Sequence, residues 1–176
     1  MNRCSWVNMK NPLYVKYHDE EWGVPTHDDK ALYELLILES FQAGLSWECV
    51  LNKRENFRKA FDNFDIDKVS NYDETKINEL LQNTGIIRNK LKINASINNS
   101  KIFKEIQKEF GSFDKYILGF TNGEIVIESF EKRTFSPLSD KISKNLKKRG
   151  MKFVGTTIIY SYLQAIGIIN GHSENC

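Results

Sequence analysis

The chain has 176 residues, 40% of them hydrophobic and 27% charged, with a formal net charge of +2 at neutral pH and a pI near 8.3. This is enough for one folded unit and too apolar for a disordered segment, while its longest apolar stretch, Phe153 to Ile169, is too short and too polar to span a bilayer. The near-neutral balance permits nucleic-acid binding through a local patch without requiring it.

Residues 1–27 are aromatic-rich, with Trp6, Tyr14, Tyr17 and Trp22, and show no helical or strand period. They are expected to be irregular and held by contacts made elsewhere. Asp28 or Asp29 can cap a helix whose apolar positions keep the 3.6-residue period up to Glu39. Gly44 breaks it, and a second helix is expected from about Ser46 to Phe61. Asp65 opens a helical turn to Val69, and Asp73 with Glu74 opens a helix through Leu81. After Gly85, a long helix starts near Arg88 and runs past Ile106. Ser112 or Asp114 starts a short helix to Leu118, and Gly123–Glu128 alternates enough for a short strand or an extended linker. Ser136-Pro137 and Gly150 bound another helix, and Phe153 to Ile168 forms the last, buried one. The expected fold class is all-α, a single unit over 1–176 with a central helical lobe at about 28–110 and a second lobe made by the termini and C-terminal helices.

Four features carry chemistry. Glu39 is a carboxylate on an otherwise apolar helix, so it either leaves the core at the surface or is a functional group. Around Gly85, the stretch Leu80 to Lys90 reads as two helices joined by a Gly turn with positive φ. That is either an ordinary helical hairpin or a backbone grip for a DNA phosphate, with Arg88, Lys90 and Lys92 adding charge. Cys4, His18, His172 and Cys176 lie at the two chain ends, and the last two share an i, i+4 spacing. They are either unrelated or the four ligands of a closed, structural zinc site tying the termini together. The aromatics Trp6, Tyr14, Tyr17, Trp22 and Trp47 are either core or faces for a planar base. Cys49 reads as a core thiol and His27 as an exposed turn histidine. With three cysteines and no apolar leader in Met1–Trp6, a cytoplasmic location is expected.

Taken together, these stretches resemble the 3-methyladenine DNA glycosylase I family, a branch of the helix-hairpin-helix DNA glycosylases. The resemblance rests on Arg3-Cys4-Ser5-Trp6, Pro12-Leu13-Tyr14, Tyr17 to Pro25, Glu39 with Gln42-Ala43-Gly44-Leu45-Ser46-Trp47, Lys53-Arg54-Glu55, Thr84 to Arg88, and Lys147 to Gly150 with Phe153 to Thr157. It covers nearly the whole chain. It implies an enzyme that excises N3-methylated adenine from alkylated double-stranded DNA by base flipping, as a monomer, without strand nicking. Matched residue by residue, it implies that Glu39 is the base-contacting carboxylate and that Tyr17 and Trp47 are the ring faces, with Trp6, Tyr14 and Trp22 completing the pocket. It further implies Leu45 after Gly44 as the wedge, Gly85, Arg88 and Lys90 at the DNA backbone, and structural zinc on Cys4, His18, His172 and Cys176. The hairpin departs from the wider superfamily: it lacks a Gly-x-Gly, and no Asp follows it where many relatives keep a catalytic carboxylate. Two other readings remain at this point, a non-catalytic DNA-damage binding module and a catalytic metal enzyme using His18 and the cysteines.

Overall fold

The computed structural model describes residues 2–128, 133–173 and 176, which form ten α-helices and one two-stranded sheet. The N-terminal segment is more ordered than its pattern suggests. Helix α1 spans Pro12–Glu20, with the Asn11 side chain accepting from the Leu13 N–H and Pro12 at the first helical position, where a missing N–H is no loss. Only Tyr17 and His18 of this helix are buried, so it carries no continuous apolar stripe for periodicity to detect.

Helix α2, Asp29–Phe41, is the centre of the molecule. Every residue from Leu32 to Phe41 is buried, and the helix packs against α7, α8 and α10. Each of its fully buried Leu and Ile side chains contributes about 1.5–3 kcal/mol relative to exposure. Its first residue, Asp29, also caps a neighbour, taking the Phe113 and Asp114 N–H groups at 2.9 and 3.0 Å.

The helix expected over Ser46–Phe61 is two, α3 at Trp47–Asn52 and α4 at Arg54–Ala60, separated at Lys53, whose φ and ψ of −101° and 1° leave the helical region. Then come α5 at Ile66–Ser70, α6 at Glu74–Gln82, the 21-residue α7 at Lys90–Phe110 and α8 at Phe113–Leu118. Helix α9, Pro137–Lys148, is capped at both levels by Ser136, and α10 spans Thr156–Ala165. The all-α expectation needs one amendment. Strand β1, Val126–Ile127, lies in the stretch expected as a short strand or linker, and it pairs in parallel with β2, Ile169–Asn170, just beyond the expected last helix. Among the described residues no helix is long and apolar enough to cross a membrane.

A charged cluster lies between α1, α2 and α4. Arg54 donates to both carboxylate oxygens of Glu21 at 2.8 Å and to Glu34 at 2.8 Å, while Arg58 donates to Glu34 at 2.9 Å and also pairs with Glu55. Glu34 is buried, yet two guanidiniums answer its charge.

Candidate active site

The end of α2, the start of α3, α1 with its flanks, and α10 enclose a cavity of about 650 Å³. Trp6, Tyr14, Tyr17, Trp22, Glu39 and Trp47, which lie far apart in sequence, all line it. The aromatics form two groups: Trp6 packs on Tyr14 at 5.3 Å and on Trp22 at 4.9 Å between ring centroids. Tyr17 and Trp47 are 5.3 Å apart and inclined by 45°. Two rings holding a base between them need about 7 Å, twice a van der Waals contact, so these two touch each other and offer the cavity an angled pair of faces.

Glu39 does not leave the core at the surface. It is 3% exposed, and its Oε2 finds no hydrogen-bond partner among the described residues. Burial pushes its carboxyl up to about 8, which favours the protonated form at neutral pH. The same carboxyl, when ionised, helps raise the hydroxyls of Tyr14 and Tyr17, in both cases after desolvation.

Two further buried polar atoms are unpartnered among the described residues, Gln42 Oε1 and Trp47 Nε1, and both residues line the same cavity. Gln42 follows Glu39 by three positions, one helical turn, at the C-cap of α2. Ser161 and Gln164 of α10, also three apart, form part of the opposite wall, with Arg133 and Thr134 near its rim. The signal for Ser161 and Gln164 was present in the sequence as polar breaks in an apolar run, which membrane reasoning used only as an exclusion.

Gly44 has a φ of +76°, and a Cβ there would meet nothing within 4 Å, so the glycine is required by its backbone conformation alone. The turn it makes leaves Leu45 42% exposed beside the cavity-lining Trp47. The turn between α6 and α7 differs from expectation: Gly85 does not take a positive φ. Close approach favours it instead, since a Cβ would lie 3.1 Å from the Asn56 and Asn83 side chains, which would have to shift. The Asn83 side chain, not the glycine's conformation, closes the turn by accepting the Gly85 N–H at 2.9 Å. Arg88 and Lys90 are exposed there, with Lys90 3.4 Å from Glu74. No acidic residue stands in the first turn of α7. Lys92, expected beside them, is buried and turned inward, and so does not belong to that surface.

At the chain ends Cys4, His18 and Cys176 come together, their donor atoms all within 4.8 Å of one another. The donor types suit zinc, and the support of His18 suits it too: its Nδ1 lies 2.9 Å from Asp19, which Arg3 holds in turn, so Nε2 faces the sulfurs. Two findings oppose the four-ligand expectation. Cys4 and Cys176 are joined as a disulfide, and a bonded sulfur is no thiolate ligand. His172 is not among those donor atoms: its ring lies edge-on to His18 at 5.7 Å between centroids, but its Nδ1 is 3.1 Å from Asn170 Oδ1 and its ring packs on Trp22 and over Gly23. Burial and the neighbouring His18 lower its basicity. Cys49 is half-buried and free, and His27 pairs with Asp114 at the surface.

The sequence pattern of the methyladenine glycosylase family matches residues 6–176. The chain belongs to that family. DNA-3-methyladenine glycosylase 1 of Escherichia coli strain K12 is 45% identical over 180 residues, covering 100% of this chain and 96% of the relative. A DNA-3-methyladenine glycosylase of Haemophilus influenzae is 37% identical, covering 99% and 96%. A crystal structure of 3-methyladenine DNA glycosylase I superposes with a TM-score of 0.95 at 45% identity, covering 99% of this chain and 98% of that one. A tyrosine-to-phenylalanine variant of such an enzyme, in complex with 3-methyladenine, superposes at 0.94 with 34% identity, covering 100% and 96%. As a methyladenine glycosylase the chain is a hydrolase acting on N-glycosyl bonds, which removes the reading of a non-catalytic module.

Proposed function

We propose that this cavity takes 3-methyladenine flipped out of duplex DNA and that the enzyme hydrolyses its glycosidic bond, leaving an abasic site without cutting the strand. The observation that carries the reading is the set of three buried, unpartnered polar atoms, Glu39 Oε2, Gln42 Oε1 and Trp47 Nε1, set in an aromatic cavity. Such atoms cost about 1–3 kcal/mol each when unpaired, and a ligand that pairs them recovers that energy. Two oxygen acceptors match the two N–H groups of an exocyclic amine.

The raised Glu39 carboxyl gives the site its preference for charge. An alkylated adenine in DNA is a cation, and a cation beside Glu39 lowers its pKa and releases its proton, which makes an ion pair against an electron-rich wall. Neutral adenine does neither. The cationic base leaves with the electron pair of the C1′–N9 bond and becomes neutral. Water adds at C1′ and its proton passes to solvent. Because the leaving group is already activated, selection accounts for most of the work, and flipping a damaged base costs less than flipping a paired one. Leu45 fills the gap in the duplex, while Arg88, Lys90 and the first turn of α7 meet the backbone.

Incubation with methylated duplex DNA tests this reading directly: free 3-methyladenine and an alkali-labile abasic strand are expected. Strand scission without alkali, or a borohydride-trapped protein–DNA adduct, would overturn the hydrolytic mechanism.

The clasp of the termini belongs to the same reading. In a cytoplasmic setting Cys4 and Cys176 are reduced, and the two thiolates with His18 and His172 would hold a structural zinc ion that has no open position for chemistry. Reduced protein is expected to carry about one zinc per chain by elemental analysis, with Cys176→Ser carrying none. Reduced parent protein without bound metal would count against the site.

A further inference from the structure

Lys92 breaks an electrostatic rule. It stands in the first turn of α7, where the helix dipole disfavours a cation, and it is only 7% exposed. Its ammonium points away from its own helix into the end of another. It donates to the Phe41 carbonyl at 2.9 Å and to the Ala43 carbonyl at 2.6 Å. These are carbonyls at the C-terminus of α2, which have no helical partner, and a cation there is favoured by the dipole of α2. Burial lowers the Lys92 pKa.

We propose that Lys92 is a positioning residue for DNA: its ammonium ties the Gly44–Leu45 turn to the start of α7, so that the backbone grip at α7 and the wedge at Leu45 act as one rigid unit. The two carbonyls bracket Gln42 and immediately precede Gly44, the residue whose open φ gives the turn its freedom. Without the strut, that freedom passes to Leu45. Between the wedge and the grip the chain offers no short path, since Lys92 follows Ala43 by 49 positions. The base cavity is built mainly from other contacts, so loss of the strut loosens insertion into duplex and leaves binding of the free base in place. The inference rests on the glycosylase reading, and a parent enzyme that releases no base would sink that reading before this one.

The test is a double-mutant cycle between Lys92 and Leu45. Lys92→Met is expected to lower kcat/KM on methylated duplex DNA by roughly tenfold to a hundredfold, in line with the loss of charged hydrogen bonds. Its affinity for free 3-methyladenine, read from tryptophan fluorescence, stays within about twofold. In a Leu45→Ala background the same substitution has little further effect, because the strut acts through the wedge. Lys92→Arg, which keeps the buried cation but cannot place one atom between the two carbonyls, covers the case in which the methionine variant fails to fold. It is expected to show a smaller loss with the same dependence on Leu45. Losses that persist undiminished in the Leu45→Ala background, or that fall equally on free-base binding, would overturn the proposal, as would parental activity in both variants.

Discussion

Two buried carboxylates on one helix, Glu34 and Glu39, meet opposite fates. Glu34 is held by Arg54 and Arg58, and Arg54 also grips Glu21, so charge is neutralised inside a closed network. Glu39, little more than one turn further along α2, has no cationic partner among the described residues and carries an unpaired oxygen into the cavity. The first arrangement compensates its charge within the fold, and the second leaves a buried acceptor unpaired at the wall of a cavity. Burial alone therefore does not mark a functional carboxylate; burial without an answering charge does.

The contrast is broken most severely at Arg54. Arg54→Met strips Glu21 of its guanidinium partner and leaves Glu34 with Arg58 alone, and it is expected to destabilise the protein by about 1.5–3 kcal/mol, measured by urea unfolding. Below its melting temperature this variant should still excise base, because none of Glu21, Glu34, Arg54 and Arg58 lines the cavity. A loss of stability below 1 kcal/mol would show that the cluster is solvated and that the two carboxylates differ less than their geometry implies.

Glu39→Gln keeps the shape and removes the charge. Excision of 3-methyladenine is expected to fall by about 30- to 100-fold, the worth of a charge-assisted hydrogen bond made in the reaction. In the parent, kcat/KM should rise with pH through an apparent pKa near 8, where Glu39 ionises in the free enzyme, and the glutamine variant should lack that limb. Equal base release by the two proteins would refute the role.

Stability moves the other way in the same variant. The folded-state pKa of about 8 lies above the ordinary value of 4.5, so between those pH values the unfolded chain has lost a proton that the folded protein keeps. Stability contributed by the neutral carboxyl is therefore full below about pH 4.5 and is lost as pH rises toward 8, at up to about 1.4 kcal/mol per pH unit. Glu39→Gln should match the parent near pH 4.5 and exceed it progressively up to pH 8 in thermal unfolding. A constant offset across that range would mean that Glu39 is ionised in the empty cavity.

Much of this was legible in the chain because α2 violates its own pattern. A Glu at the end of Leu35-Leu36-Ile37-Leu38 stands out before any fold is known, and the structure puts it in one cavity with the aromatics that the family motifs name. Helix α1 was not legible, since its order comes from the Asn11 cap and long-range contacts of Tyr17 and His18 rather than from an apolar stripe. Lys92 was read as a phosphate partner because a basic residue after a turn looks exposed. Only the fold shows that the end of α2 lies within reach of its ammonium. The pairing of Cys4 with Cys176 across 172 residues is likewise a product of tertiary closure, while β2 needs β1 beside it to be strand at all.

The mildest test concerns Gln42, whose Oε1 shares the cavity with Glu39 and is also unpartnered among the described residues. If this acceptor serves the exocyclic amine, Gln42→Met removes one neutral hydrogen bond to the substrate and lowers excision about fivefold, near 1 kcal/mol. The fold loses nothing by the change, because no internal bond of that oxygen is given up, and methionine fills similar volume. Stability within about 0.5 kcal/mol of the parent is therefore expected alongside the slower reaction. That pairing of unchanged stability with reduced activity is the inverse of Arg54→Met. A Gln42→Met variant that unfolds early while keeping its rate would place Gln42 with the structural residues and leave Glu39 as the sole acceptor for the base.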